Sequence, residues 1–413
     1  MNKSIVHIFN DDKFVDSAIS IMETTFPNQS DYFVIKNHSE NYKYVQSKRV
    51  KKLSLQKSED FIMFVDGITE NSTQVVFFHA LDPIKQKIML FLPNFIVKVW
   101  LIWGYDLYNN WQLFEGIHFE KITREFISQK KKPFKYFLVN NNFTFYIFHK
   151  VYDKKLWLPH IITLRLRSAY ESIFFRAIQK VDIVVPVLSN EYKYVKKLKI
   201  NPTLGTFSYG TIEDLLIDSS NKNVLTKRNI LIGNSAAPTN NHLDIFHKIK
   251  DFEFEDRLLY VPLSYGGSPE YIQKVITTGK HFFGDSFVPL LDFMSLERYN
   301  DILLTCGFVI FNHSRQQGVG NVVSMGFLGA KIFLNGKSST YQFFLDKGMF
   351  VYSTNCLSRY SLSNNLEVGQ MNRNREVLKA EYSRMAVKAK VNNLMRLVNE
   401  KLGKNYFQTK FSV

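Results

Sequence analysis

The stretch that decides the fold is residues 310–330, which read IFNHSRQQGVGNVVSMGFLGA. It continues the apolar run of residues 308–311, which is typical of a buried strand. A polar loop follows, the chain turns at Gly318 and Gly320, and small residues then predict a helix. A strand, a glycine turn and a helix start in this order present backbone N–H groups to an anion. Arg315 adds a guanidinium that pairs with two phosphate oxygens, so the stretch predicts an anion site, with an ordinary tight turn as the alternative.

The second half of the chain extends this pattern in both directions. Strands are predicted at residues 229–233, 257–263, 282–287, 308–311 and 331–334, and helices at residues 241–249, 271–278 and 294–304. Alternating strands and helices form a parallel sheet with helices on both faces. The tail at residues 376–404 has apolar residues at helical spacing, which predicts a long amphipathic helix packed on the body.

The first half repeats the same kind of pattern. Strands are predicted at residues 5–9, 32–35, 61–65, 75–78, 96–103 and 183–187, and helices at residues 14–22 and 165–178. A chain of 413 residues exceeds one ordinary hydrophobic core, and a turn-rich stretch near residue 211 separates the halves. We predict domains at residues 1–215 and 216–375, and a helix at 376–413. Two doubly wound, Rossmann-like domains facing a central cleft are the GT-B architecture.

Charge and composition limit the class of protein. The formal net charge is +16, and residues 121–200 hold 17 basic against 5 acidic residues. The basic runs at residues 130–136, 154–157 and 192–197 lie among aromatic residues, and a smaller basic run lies at residues 48–52. Such runs suit an anionic membrane surface. Nucleic acid is the competing partner, but no nucleic-acid recognition motif is present, so we expect none. No apolar run is long enough to span a bilayer, and the two cysteines indicate a reducing compartment.

Three loops of the second half follow predicted strands, so they lie at one carboxyl edge of a parallel sheet. The first reads GNSAAPTNNH (residues 233–242), the second PLSYGG (262–267), and the third follows residue 311. Their glycines, amides and hydroxyls suit a nucleotide diphosphate. Asn240 or Asn241 can cap the next helix. The predicted donor-binding residues are Gly233, Asn234, Ser235, His242, Ser264, Tyr265, Gly266, His313, Arg315, Gln316, Gln317, Gly318, Gly320 and Asn321.

These loops also resemble a known family. GNS followed by NNH, then VPLSYG and RQQGVG, together with WGYDLY at residues 103–108, are similar to the bacterial 4-acetamido-4,6-dideoxygalactose (N-acetylfucosamine) transferases of glycosyltransferase family 56. The resemblance implies transfer of that sugar from a dTDP carrier to a polyprenyl-diphosphate-linked saccharide, as in enterobacterial common antigen assembly. Many GT-B enzymes have two carboxylates where this chain has Gln317 and Met325. A neutral amide suits a deoxy acetamido sugar, and loss of the second carboxylate suits a deoxyribose carrier.

The catalytic base is expected in the first half, at a strand end. Asp106, inside WGYDLY, is the first candidate; Asp12 or Asp11, after the first strand, comes next, and His79 is third. Each of these side chains also suits a helix cap or a turn. The sequence has no D-x-D motif, so we expect neither a metal ion nor another cofactor. Backbone N–H groups, a helix terminus and Arg315 would then stabilise the leaving diphosphate.

We therefore predict a glycosyltransferase at the cytoplasmic face of the inner membrane. It would be held peripherally by basic and aromatic residues of its first domain, and it would transfer a sugar from a dTDP-linked donor to a polyprenyl-diphosphate-linked saccharide. A transferase for another nucleotide sugar is one alternative. A non-catalytic protein that binds anionic glycan or nucleic acid is the other.

Overall fold

The protein is described by a computed structural model that covers residues 4–108, 118–127, 142–152, 156–170, 173–216, 221–254 and 256–403. The basic run at residues 130–136 lies outside these residues. The chain divides into two compact units. One comprises Met1–Glu115, Lys132–Gly210 and Val387–Val413, and the other comprises Gly116–Lys131 and Thr211–Ala386.

The first unit contains a seven-stranded sheet with the order β3-β2-β1-β4-β5-β6-β7, in which every pair is parallel. Its strands are β1 (Ile5–Asn10), β2 (Ser30–Ile35), β3 (Val50–Leu53), β4 (Val75–His79), β5 (Val97–Leu101), β6 (Ile183–Val185) and β7 (Thr203–Leu204). The strand order reverses between β1 and β4, which is where ligands bind in doubly wound sheets.

The second unit contains a six-stranded sheet with the order β10-β9-β8-β11-β12-β13, again parallel throughout. Its strands are β8 (Asn229–Ile232), β9 (Leu259–Pro262), β10 (Phe287–Leu290), β11 (Cys306–Phe311), β12 (Lys331–Leu334) and β13 (Tyr352–Ser353). All six residues of β11 are buried, as expected for a central strand that is covered on both faces.

Helices connect the strands of both sheets. In chain order they are α1 (Val15–Thr25), α2 (Ser58–Glu70), α3 (Pro83–Phe91), α4 (Tyr105–Tyr108), α5 (Lys121–Ile127), α6 (Asn142–Tyr152), α7 (His160–Tyr170), α8 (Ile173–Ile178), α9 (Tyr192–Lys197), α10 (Ile212–Leu215), α11 (His242–Ile249), α12 (Pro269–Phe283), α13 (Leu296–Leu303), α14 (Val319–Leu328), α15 (Ser339–Asp346), α16 (Arg359–Ser363), α17 (Val368–Tyr382) and α18 (Arg384–Leu402). Short 3-10 helices lie at Ser189–Glu191, Pro238–Asn240, Gly284–Ser286 and Thr354–Cys356. No helix among these described residues is long and apolar enough to cross a membrane.

Three predicted elements differ from the structure. Residues 61–65 belong to α2 rather than to a strand, because Asp60 accepts from the Lys57 backbone and starts a helix there. Residues 282 and 283 end α12, so β10 begins only at Phe287. The predicted C-terminal helix is two helices that meet at Ser383. In α18 the apolar side chains of Val391, Leu394 and Val398 join the core of the first unit.

Candidate active site

The carboxyl edge of the second sheet brings three loops together. Strands β9, β8 and β11 are neighbours in that sheet, and the predicted binding residues follow them directly. We define loop A as residues 233–241, loop B as residues 263–268, and loop C as residues 312–318. Parallel strands release their following loops at one edge, which is why residues about 80 positions apart come into contact.

Asn240 connects loop A to loop C. Its side-chain oxygen accepts from the Asn234 backbone at 2.9 Å and contacts His313 Nε2 at 2.7 Å. Its side-chain nitrogen donates to Ser235 Oγ at 3.2 Å. Asn240 is buried, and a buried amide whose oxygen and nitrogen are both satisfied holds a loop in one conformation. Sequence reasoning treated Asn240 only as a helix cap; the contact with His313 spans 73 residues and had no local signal.

Gln317 makes the second connection between these loops. Its amide nitrogen donates to Asn234 Oδ1 at 3.1 Å and to Ser235 Oγ at 3.3 Å. Its amide oxygen accepts from Thr239 Oγ1 at 2.7 Å. A glutamate at this position has no hydrogen to donate, so the amide is required for the observed contacts.

Loop B joins the same cluster through Tyr265. The Ala236 backbone N–H donates to the Tyr265 carbonyl at 2.8 Å, and Asn234 Nδ2 contacts the Tyr265 hydroxyl at 3.4 Å. Tyr265 is 39% exposed, so its ring is accessible to a ligand. Gly266 has φ +87°, and Ser264 is partly buried in the same loop.

Two glycines permit the close approach of loops A and C. Gly233 has φ +70°, and a Cβ there would lie 2.7 Å from His242 Nε2. Gly318 has φ +67°, and a Cβ there would lie 3.3 Å from Asn234 Cγ. Both positions combine a left-handed backbone with limited space, so glycine suits them best.

Helix α14 starts at this junction. Gly318 is its N-cap and supplies no side-chain cap, so the first N–H groups of the helix remain available to an anion. Space is open around Gly320, while Asn321 donates to the Tyr299 hydroxyl at 3.0 Å. The Gln316 side chain is buried, and its Oε1 has no hydrogen-bond partner among the described residues.

Within loops A, B and C the charged side chain is that of Arg315. Arg315 is partly buried, and its charge acts on the neighbouring His313. Burial lowers the pKa of His313 far below the ordinary value, with smaller contributions from His242 and Arg315. Burial also lowers the pKa of His242 to about 3. Both imidazoles are therefore neutral at pH 7, and loops A and C together offer the Arg315 guanidinium, a helix N-terminus and neutral hydrogen-bonding groups.

In the first unit, both carboxylate oxygens of Asp106 accept hydrogen bonds from other residues of the protein. One carboxylate oxygen accepts from Trp100 Nε1 at 2.7 Å and from the Leu81 backbone at 3.0 Å. The other accepts from the Trp103 backbone at 3.0 Å. Burial raises the pKa of Asp106, while these hydrogen bonds act against that rise. This geometry indicates that Asp106 connects three segments of chain, and it argues against Asp106 as the predicted base.

Both ring nitrogens of His79 also have hydrogen-bond partners. It is fully buried, with Nε2 at 3.0 Å from His7 Nδ1 and Nδ1 at 2.7 Å from the Tyr209 hydroxyl. Burial lowers its pKa well below the ordinary value. With both ring nitrogens occupied, His79 is poorly placed to accept a proton from a substrate.

The two aspartates that follow β1 differ in their hydrogen-bond partners and in the direction of their pKa shifts. Asp11 forms an ion pair with Lys36 at 2.6 Å and accepts from the backbone of Lys43 and Tyr44. Burial acts to raise the pKa of Asp11, but these contacts outweigh it and lower the pKa. Asp12 is partly exposed, and burial raises its pKa. Of the predicted bases, Asp12 therefore best combines access with proton affinity.

A buried ion pair in the first unit was not predicted from the sequence. Lys85 is fully buried and contacts Asp82 at 2.6 Å, and Asn10 donates to the same carboxylate at 3.0 Å. Asp82 also caps α3, directly before Pro83. The pair Asp82–Pro83 is a recognisable helix start, but nothing local indicates that Lys85 points inward.

Two parallel α/β units of this kind form the GT-B fold. Solved structures with this fold match nearly the whole chain. Sucrose-phosphate synthase from Thermosynechococcus elongatus has a TM-score of 0.60 at 9% identity and covers 96% of this chain and 100% of that chain. The lipopolysaccharide outer core galactosyltransferase WaaB in its apo form has a TM-score of 0.59 at 9% identity, with 95% and 99% covered. HepE from Anabaena with UDP and glucose has a TM-score of 0.59 at 8% identity, with 95% and 99% covered.

Part of the chain also matches a family of glycosyltransferases. The family described as 4-alpha-L-fucosyltransferase glycosyl transferase group 56 matches residues 177–367. This match confirms the resemblance to glycosyltransferase family 56, and it includes all three loops. The protein is a nucleotide-sugar-dependent glycosyltransferase that acts on a glycan acceptor.

Proposed function

We propose that the protein transfers 4-acetamido-4,6-dideoxygalactose from a dTDP carrier to a polyprenyl-diphosphate-linked saccharide in surface polysaccharide synthesis. The observation that carries the proposal is the meeting of loops A, B and C at Asn234, whose side chain contacts both Gln317 and Tyr265. Family members have this substrate class, and the loop motifs of this chain resemble theirs.

The donor diphosphate would bind at the start of α14. Arg315 supplies a full positive charge, and the uncapped N–H groups of the helix supply a partial one. The described side chains of loops A, B and C are neutral or basic. Carboxylates, which Mg²⁺ prefers as ligands, are absent from these loops. We infer that the leaving diphosphate is stabilised without a metal ion.

The donor sugar and nucleoside would be distinguished by residues 317 and 325. The amide of Gln317 stands where many GT-B enzymes have a carboxylate, and it makes three contacts within the loops. Met325, at the second carboxylate position, is fully buried. A site without these carboxylates suits a deoxy sugar on a deoxyribose carrier, because fewer hydroxyl groups require an acceptor.

We further propose that the first unit attaches to the cytoplasmic face of the inner membrane. Its helices α6 and α7 and residues 156–159 expose large apolar side chains: Phe143 is 72% exposed, Trp157 is 85% and Ile161 is 63%. Lys150 lies over the Tyr146 ring at 5.3 Å. In α9, Lys193, Lys196 and Lys197 lie similarly over tyrosine rings. Interleaved aromatic and basic groups suit an anionic lipid surface.

The test is a panel of nucleotide sugars offered with a polyprenyl-diphosphate-linked saccharide. The proposal predicts release of dTDP from a dTDP-linked acetamido deoxy sugar, and turnover that persists in EDTA. Turnover with a UDP or GDP sugar alone would contradict the donor assignment. Salt-sensitive binding to DNA with no turnover would instead favour a binding protein. Failure to bind anionic vesicles would contradict the membrane proposal alone.

A further inference from the structure

Three aromatic side chains meet at the carboxyl edge of the first sheet. Phe14 lies between β1 and α1, Trp103 follows β5, and Tyr209 follows β7. Their ring centroids are separated by 5.8 Å for Phe14–Trp103, 5.6 Å for Phe14–Tyr209 and 5.7 Å for Trp103–Tyr209. Phe14 is 39% exposed, and the other two are partly buried. The cluster is therefore neither a closed core nor a set of isolated surface residues.

The hydroxyl of Tyr209 is held by a chain of buried histidines. It lies 2.7 Å from His79 Nδ1, and His79 Nε2 lies 3.0 Å from His7 Nδ1. The last nitrogen of the chain, His7 Nε2, is buried and has no hydrogen-bond partner among the described residues. Burial lowers the pKa of His7 to about 3, so His7 is neutral and carries one ring proton.

The ring nitrogen that carries this proton determines which group donates in each hydrogen bond between His7, His79 and Tyr209. A buried lone pair without a partner is tolerated more often than a buried N–H without one. We therefore place the His7 proton on Nδ1, where it is donated to His79 Nε2. The His79 proton is then on Nδ1 and is donated to the Tyr209 oxygen. Tyr209 consequently keeps its own hydroxyl proton for another acceptor.

A carboxylate adjoins the same cluster. Asp12 Oδ1 accepts from the Phe14 backbone at 3.1 Å, so the carboxylate adjoins the backbone of the residue that carries the first ring. Its charge acts on the Tyr209 hydroxyl, as does that of the more deeply buried Asp106. The edge thus offers apolar ring faces, one aligned hydroxyl donor and one partly exposed carboxylate.

We propose that Phe14, Trp103 and Tyr209 form a binding subsite for the terminal sugar of the acceptor, with His79 as the residue that positions the Tyr209 hydroxyl. A pyranose ring has one face of C–H groups that packs on aromatic rings, and its hydroxyls accept a hydrogen bond from Tyr209 and donate one to Asp12. This inference rests on the proposed function, because it names the part of the chain that recognises the glycan.

Two variants and one control test the subsite. Trp103→Ala removes a ring, and Tyr209→Phe removes only the hydroxyl. Phe91→Ala is the matched control, since Phe91 is 67% exposed on the same unit and its ring contacts Phe61 at 5.4 Å, outside the cluster. The first two variants should raise the acceptor KM by about three- to tenfold, with dTDP affinity unchanged. The control should alter neither value.

The positioning role of His79 is tested by a measurement that a purely structural role would not change. His79→Gln keeps a donor and an acceptor on one side chain, whereas His79→Phe keeps the ring alone. If His79 positions Tyr209, the glutamine variant should retain most of the native acceptor affinity and the phenylalanine variant should match Tyr209→Phe. An equal acceptor KM in both variants at native kcat would contradict the positioning role.

Glycan binding can be measured without turnover. Saturation-transfer-difference NMR with N,N′-diacetylchitobiose should give signals from the C–H face of the sugar, and Trp103→Ala should lose them. Binding that depends on Trp103, with no dTDP-sugar turnover, would overturn the proposed function and leave the subsite standing. Unchanged signals in Trp103→Ala and Tyr209→Phe, or no signals with the native protein, would overturn the subsite.

Discussion

The amide nitrogen of Gln317 donates to Asn234 Oδ1 at 3.1 Å, which connects the loop after β11 to the loop after β8. The same nitrogen also donates to Ser235 Oγ. This connection uses the one atom that distinguishes glutamine from the glutamate of many GT-B enzymes. The identity of residue 317 therefore affects both the shape of the candidate donor site and its charge.

Gln317→Glu should weaken dTDP binding by about tenfold or more. The change removes two donated hydrogen bonds and adds a negative charge beside the proposed diphosphate site, each worth about 1 kcal/mol or more. Isothermal titration with dTDP measures the effect. Gln273→Glu is the control, because Gln273 is exposed on α12. Equal affinity in both variants would exclude residue 317 from donor binding.

Gly233→Ala should destabilise the second unit by about 1–3 kcal/mol. The residue has φ +70°, and the new Cβ would meet His242 Nε2 at 2.7 Å. Gly369→Ala is a suitable comparison, because that glycine lies in α17 with open space around its Cβ position, and alanine favours a helix. Chemical denaturation of both variants measures the difference. A Gly233→Ala protein as stable as the native one would show that loop A tolerates other conformations.

Asp106→Asn and Asp12→Asn should affect different properties. Asp106 accepts from Trp100, Leu81 and Trp103, so its replacement should cost about 2–4 kcal/mol of stability. Asp12 is partly exposed, so Asp12→Asn should keep the melting temperature and lower kcat by about 100-fold or more. Thermal unfolding and initial rates are the measurements. Native kcat in Asp12→Asn would eliminate it as the base.

Acidification should reduce stability through His242. Burial lowers its pKa to about 3 in the folded protein, against about 6.5 in the unfolded chain. The unfolded state binds more protons between these values, so stability is lost as the pH falls below about 6.5, by about 1 kcal/mol at pH 5.5. His242→Gln should flatten the dependence of the unfolding free energy on pH, whereas replacement of the exposed His281 should not. An identical slope in both variants would contradict a neutral buried His242.

Much of the fold follows from local sequence, because central parallel strands are continuous apolar runs. β1, β4, β8 and β11 were predictable for this reason. β3 was not, because Val50–Leu53 is a charged edge strand at which only Leu53 is buried. The connection of Asn240 to His313, and of His79 to Tyr209 over 130 residues, depends on tertiary structure. Motif reasoning therefore selected three loops that the structure brings into contact, while the partners of each side chain required the coordinates.

We expect loops A, B and C to hold a nucleoside diphosphate by means of Arg315 and the start of α14. Calorimetric titration of dTDP into the native protein, Arg315→Ala and the exposed control Arg298→Ala tests it most directly. Removal of the guanidinium should weaken binding by about tenfold or more, with an unchanged melting temperature and native affinity in the control. Native dTDP affinity in Arg315→Ala would contradict the account.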